Sequence, residues 1–225
     1  LQRACLAAIA LLGTGIANAA IVTEDVGALD QIFAQAPVLD RTPIDIRFAP
    51  AITLNQPTLT HIDTEKQLNT LFDVGSGSNV HQVNLFFVDA INECNGEMLP
   101  QAIGCGQEPG RDIAVESKFA SRKGMPGSPG LGAVLIAHEL GHTLGLPHFT
   151  GTTPNLMDAT LNGEWVLTSD QVTTILASDL VQRDQSGARF ISIQPFAVVP
   201  EPGTFAFVVG AAFVLGAAGW RRAQG

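Results

Sequence analysis

The chain has 225 residues, enough for one domain with appendages and for a buried core that needs no disulfide scaffold. A formal net charge of −9, the absence of tyrosine and the lack of any basic tract interleaved with aromatics argue against a nucleic-acid-binding surface. The hydrophobic fraction of 46% is raised by an apolar stretch at each end.

Residues 1–19 read as a signal peptide. Arg3 supplies the positive start, Leu6 to Leu12 the apolar run, and Ala17-Asn18-Ala19 a small-residue cleavage site. Export makes the cysteines informative. Cys5 leaves with the signal peptide, so Cys94 and Cys105 are the two thiols of the mature chain. In an oxidising compartment they are expected to form one disulfide closing a short loop, with a free metal-blocking thiolate as the weaker alternative.

The working domain is expected to span residues 20–198. Residues 21–37 read as a short leader that packs on it. Pro43 to Phe48 alternates apolar and polar residues and predicts a strand. Thr64 to Phe72 predicts a helix capped by Asp63 or Thr64. The run GSGSN at 75–79 predicts a turn. Val83 to Val88 is continuously apolar, as in a strand buried on both faces. An irregular excursion around Cys94 and Cys105 should hold an edge strand near Cys105, and Asp112 to Glu116 is a further strand candidate. His61 and His81 read as structural or surface histidines.

A loop then leads to a helix for which Ser128 is the expected N-cap and Pro129 the first residue. The helix should run to Leu144 and be stopped by Gly145. It carries the stretch HELGHTLGLPH. His138 and His142, four apart, project from one face and can reach one ion, and His148 returns after the glycine. Three neutral imidazoles with an open fourth position suit a catalytic zinc ion. Glu139 can then act as general base on water whose pKa the zinc lowers to about 7. A last helix starts at Thr168, where TSDQ fits a capping box, and runs through Val181. Strands first and two principal helices after them predict an α+β fold.

HELGHTLGLPH resembles the metzincin zinc-peptidase signature HExxHxxGxxH at every fixed position. The resemblance implies one catalytic Zn2+ on His138, His142 and His148, Glu139 as the base, and Met157 in PNLMD as the methionine of a tight turn beneath the metal. It also implies a twisted mixed sheet with an active-site helix and a small C-terminal helical part, and peptide or protein as substrate. GCGQEPG, residues 104–110, is similar to the edge strand and loop of matrixins, while Phe149 matches no common subfamily choice. Astacin-like and serralysin-like members place a tyrosine just after that turn, and this chain has none. Many relatives bind Ca2+, for which Asp89, Asp112 and Glu116 are candidate ligands. Residues 158–165, DATLNGEW, are placed to wall the substrate pocket. The rival expectation is a non-catalytic surface or biofilm-matrix protein that retains a structural metal site.

Residues 199–225 form the other appendage. Pro200-Glu201-Pro202 precedes an apolar run from Gly203 to Trp220, followed by Arg221 and Arg222. As a helix that run covers about 27 Å, enough for a transmembrane span, and the arginines hold its end on the cytoplasmic side. These residues resemble the PEP-CTERM sorting signal of Gram-negative bacteria. The resemblance implies an exosortase as partner and delivery to the outer surface or extracellular matrix.

Overall fold

The computed structural model of the protein describes residues 26–35, 39, 42–75, 79–125 and 127–199. The expected signal peptide, the sorting tail with its transmembrane helix, and most of the GSGSN turn lie outside these residues. Among the described residues no helix is long and apolar enough to cross a membrane.

In chain order the elements are α1 (Val26–Ile32), β1 (Ile44–Phe48), β2 (Ile52–Asn55), β3 (His61–Ile62), α2 (Glu65–Gly75), β4 (Gln82–Val88), β5 (Ala90–Ile91), β6 (Glu93–Cys94) and β7 (Glu97–Met98). They continue with β8 (Gly104–Gly106), β9 (Asp112–Glu116), α3 (Ser117–Ala120), α4 (Leu131–Thr143), α5 (Ser169–Ala177), β10 (Gln182–Arg183) and β11 (Arg189–Val199). The fold is α+β around a mixed sheet of order β1-β11-β4-β9-β8, with β2 and β10 also paired to β11. β11, β4 and β9 run parallel, and β8 closes one edge antiparallel to β9.

Strand alternation sorts the core into two layers. Val83, Leu85, Phe87, Ile113, Val115, Ile191 and Ile193 face the side covered by α1, α4 and α5. Phe86, Val88, Ala114, Phe196 and Val198 face the side covered by α2 through Leu68, Leu71 and Phe72. β4 is buried on both faces, as its unbroken apolar run predicts. Phe86 stacks on Phe196 at 4.8 Å between ring centroids, tying β4 to β11.

The leader is part of this core. Leu29, Ile32 and Phe33 are fully buried beneath α4. Gln35, also buried, donates to the carbonyls of Ile32 and Trp165 and accepts the Leu167 N–H, which fixes the segment after the expected Met-turn.

Three expectations are corrected. The part after the Met-turn is not simply helical: it ends in β11, an 11-residue strand threaded between β1 and β4. Pro195 obscures this strand in the sequence, because proline cannot donate to a ladder. The fold tolerates it because β1 pairs β11 only as far as Ile193 and β2 takes over at Phe196, so Pro195 falls in the gap between them. Second, α4 starts at Leu131 with Gly130 as its N-cap, not at Ser128. The Gly132 N–H is bound by the Arg122 carbonyl, so the preceding loop caps the helix by main chain. Third, α5 stops at Ala177 because Ser178 turns extended, and the chain proceeds to β10.

Candidate metal centre

α4 is apolar nearly all round and runs through the middle of the molecule, so His138, Glu139 and His142 are all buried on it. It ends in a Schellman turn. Gly145 adopts φ +90°, its N–H binds the His142 carbonyl, and the Leu146 N–H reaches back to the Gly141 carbonyl. That reversal sends the chain back along the helix and brings exposed His148 beside the other two imidazoles.

The three rings converge. Their centroids lie 4.9 Å apart for His138 and His142, 4.8 Å for His142 and His148, and 5.4 Å for His138 and His148. One nitrogen from each can be chosen so that all lie within 4.8 Å of one another. The outer nitrogens of two rings are already bound. His138 Nδ1 is 2.7 Å from the Leu156 carbonyl and His142 Nδ1 is 2.8 Å from the Leu146 carbonyl. A carbonyl only accepts, so Nδ1 carries the proton in both rings and Nε2 is left as a free lone-pair donor. Burial lowers the His138 pKa to about 4, against the raising effect of the Leu156 carbonyl, and His142 and His148 push it down further. His142 is lowered by burial as well. Both rings are thus neutral at neutral pH, the form that ligates. No further His, Cys, Asp or Glu joins this group among the described residues. The donor set therefore fits a borderline-soft dication such as zinc with one position open.

Met157 packs against the helix that carries His138 and His142. It is fully buried, and a Cβ on Gly141 would overlap its Sδ and sit 3.1 Å from its Cε. Gly141, between His138 and His142, therefore leaves the space that the Met157 thioether fills. The turn itself is built by Asn155, which the sequence did not single out. Its Oδ1 accepts the Met157 N–H, and its amide exchanges two hydrogen bonds with Gln171, the N3 residue of the α5 capping box. The Phe149 N–H binds the Met157 carbonyl, so the segment after His148 is laced to the same turn. PNLMD carries the signal of an Asx turn, but its partner sixteen residues on does not show locally.

Glu139 lies against β8, beside Gly104 and Gly106. Burial raises its carboxyl to about 8, and the Gly106 N–H opposes that shift. The imidazoles and Glu139 line a cleft of about 820 Å³, walled on one side by residues 94–106 and on the other by Ala159, Thr160 and Leu161. The latter belong to the stretch expected to wall the pocket. Cys94 and Cys105 are joined as a disulfide, and Cys105 lies on the edge strand β8.

Other candidates are not brought together. Asp112 accepts a 2.7 Å hydrogen bond from Asn84, while Glu116, at the far end of the same strand, accepts the Ile91 N–H and lies 2.9 Å from Lys118 Nζ. Asp89 is exposed, and the three carboxylates form no metal-binding group among the described residues. His61 pairs with Thr60, and His81 with the Asp179 carbonyl.

Comparison with models of protein families, with curated proteins and with solved structures finds no match for this chain.

Proposed function

We propose that the protein is an exported zinc-dependent endopeptidase of the metzincin type, with His138, His142 and His148 holding the ion and Glu139 as general base. One observation carries this reading: three convergent imidazoles, two of them fixed by backbone carbonyls, stand in an open cleft beside a buried carboxyl with no fourth protein ligand among the described residues. A purely structural zinc site closes its fourth position with protein.

When bound, zinc supplies Lewis acidity that polarises a carbonyl and makes water nucleophilic near neutral pH. The chain's own residues do the rest. The Leu156 and Leu146 carbonyls hold the imidazoles in their ligating tautomer and orientation. Glu139 accepts the proton of the attacking water and passes it to the leaving amine nitrogen, so one carboxyl serves both halves of the hydrolysis.

The substrate is an extended peptide. The Glu116 N–H binds the Ile103 carbonyl and the Gln107 N–H binds the Asp112 carbonyl, so the odd-numbered residues of this segment pair with β9. Main-chain groups of Gly104 then point away from the sheet, where a peptide strand can add. The signal-peptide-like start and the PEP-CTERM-like tail support a place at the outer surface or matrix of a Gram-negative cell after exosortase handling.

The test is to purify the protein, measure bound zinc, and compare casein cleavage with that of Glu139→Ala. Cleavage by the wild type and a loss of at least about 10²-fold in the variant are expected. Equal activity in the two removes the peptidase reading, and bound zinc without cleavage of casein or a peptide library favours the matrix-protein alternative.

A further inference from the structure

The edge strand β8 reads Gly104-Cys105-Gly106, and its two faces do different things. Register sets Gly104 opposite Val115 and Gly106 opposite Ile113, both on the α4 side of the sheet. Cys105 stands opposite Ala114 on the other side, where it is buried and bonded to Cys94. The glycine face lies against Glu139. A Cβ on Gly104 would overlap Glu139 Oε1 and come 2.7 Å from its Cδ and 2.8 Å from its Cγ. A Cβ on Gly106 would meet first the Glu139 main-chain carbonyl at 2.7 Å and His142 Cβ at 3.2 Å, and only then Glu139 Oε2 at 3.3 Å.

We infer that Gly104 is a positioning residue for the Glu139 carboxylate, and that the Cys94–Cys105 disulfide on the opposite face of β8 holds it at that range. The inference rests on the reading of Glu139 as the base. The carboxylate lies in a slot that exists only because residue 104 has no side chain, and the slot keeps its depth only while the strand stays put. Cys105 pins the strand at the residue between the two glycines. Reduction or removal of the disulfide leaves β8 held at this point by its ladder to β9 alone, and its range to Glu139 loosens.

The two glycines separate positioning from simple crowding. A methyl at 104 meets the movable end of a side chain, so it displaces the base and leaves the helix in place. A methyl at 106 meets helix backbone, so it shifts α4 and the ligands it carries. If the strand were merely tightly packed, both substitutions would act alike.

The experiment compares full-length wild type, Glu139→Ala, Gly104→Ala, Gly106→Ala and the double variant Cys94→Ala/Cys105→Ala. Three quantities are read: zinc affinity by chelator competition, kcat and KM on a cleaved peptide, and the visible absorption of the Co2+-substituted protein. Gly104→Ala is expected to hold zinc within about twofold of wild type, with kcat down about 100-fold at an unchanged KM. Its cobalt spectrum should shift as that of Glu139→Ala does. Gly106→Ala should lose at least about tenfold in zinc affinity. The cysteine variant should shift the cobalt spectrum in the same direction as Gly104→Ala, and it decides the matter if Gly104→Ala does not fold. A Gly104→Ala protein with wild-type kcat and wild-type cobalt spectrum overturns the inference, as does loss of metal in both glycine variants alike. Should the wild type cleave nothing, the peptidase reading fails, and the cobalt spectra still decide the positioning: matching shifts uphold it, and no shift in Glu139→Ala or in Gly104→Ala overturns it.

Discussion

Gly141 sits between the two helical ligands, and Met157 fills the space a side chain would need. Gly141→Ala should therefore cost about 1–3 kcal/mol through overpacking, read as a lower denaturant midpoint in the metal-free protein. Asn155 acts one step further out, since it fixes the turn whose Leu156 carbonyl orients His138. Asn155→Ala should lower zinc affinity about 10–100-fold, measured by chelator competition, while leaving the three ligands in the chain. Asp112 gives a pH signature unrelated to the metal. Burial raises its carboxyl above the ordinary 3.8, against the Asn84 amide and Arg111, with Asp73 adding to the rise. The folded chain then holds that proton more tightly than the unfolded chain does. Stability from this group is fully present in acid and falls as pH rises above 3.8 through the raised value. Asp112→Asn keeps an acceptor for Asn84 and removes the charge. Its stability, from denaturant curves between pH 3 and 7, should fall less steeply with pH than that of the wild type. At this scale the sequence was legible where spacing carries chemistry, as in the convergence of His138, His142 and His148. It was silent on Gly104, Gly106 and Asn155, whose roles depend on partners distant in the chain.

Helix α1 shows how an element can look like an appendage and behave as core. Its seven residues carry little helical propensity of their own, and packing beneath α4 makes the helix. Burial of Leu29, Ile32 and Phe33 contributes about 5–9 kcal/mol in total, comparable with the whole stability of an ordinary domain. Removal of residues 20–35 should leave a chain without a cooperative unfolding transition. The milder Gln35→Ala should lower stability by about 1–3 kcal/mol, because the Leu167 N–H and the Trp165 carbonyl lose their buried partner. Thermal unfolding of both variants checks this. If the truncated chain folds normally, the leader is a detachable segment after all. The opposite ends of α4 contrast in legibility. Gly145 shows the C-terminus plainly, since a left-handed residue is what the Schellman turn requires. The N-terminus was misplaced because main chain from the preceding loop does the capping, and no side-chain signal records that.

In the molecule as a whole, the sheet joins the two ends of the domain. β11 lies between β1 and β4, so the last described strand is held by the first and by one buried on both faces. The α+β class and the strands around β4 and β9 follow from hydrophobic pattern. The central place of β11 does not, because pairing partners about 110 and 145 residues away leave no local trace and Pro195 argues against a strand. The edge strand near Cys105 was expected through the similarity of residues 104–110 to matrixins, and it walls the cleft together with residues 159–161. Of the candidate calcium ligands, Asp112 and Glu116 are engaged by Asn84, Ile91 and Lys118 once the strands pair, which no local pattern shows.

Zinc K-edge X-ray absorption on the purified protein tests the centre most directly. Three imidazole nitrogens and one light solvent atom at about 2.0–2.1 Å are expected, with loss of one imidazole from the shell in His148→Ala. A shell containing sulfur or a fourth protein ligand, or a spectrum unchanged in His148→Ala, would contradict the account.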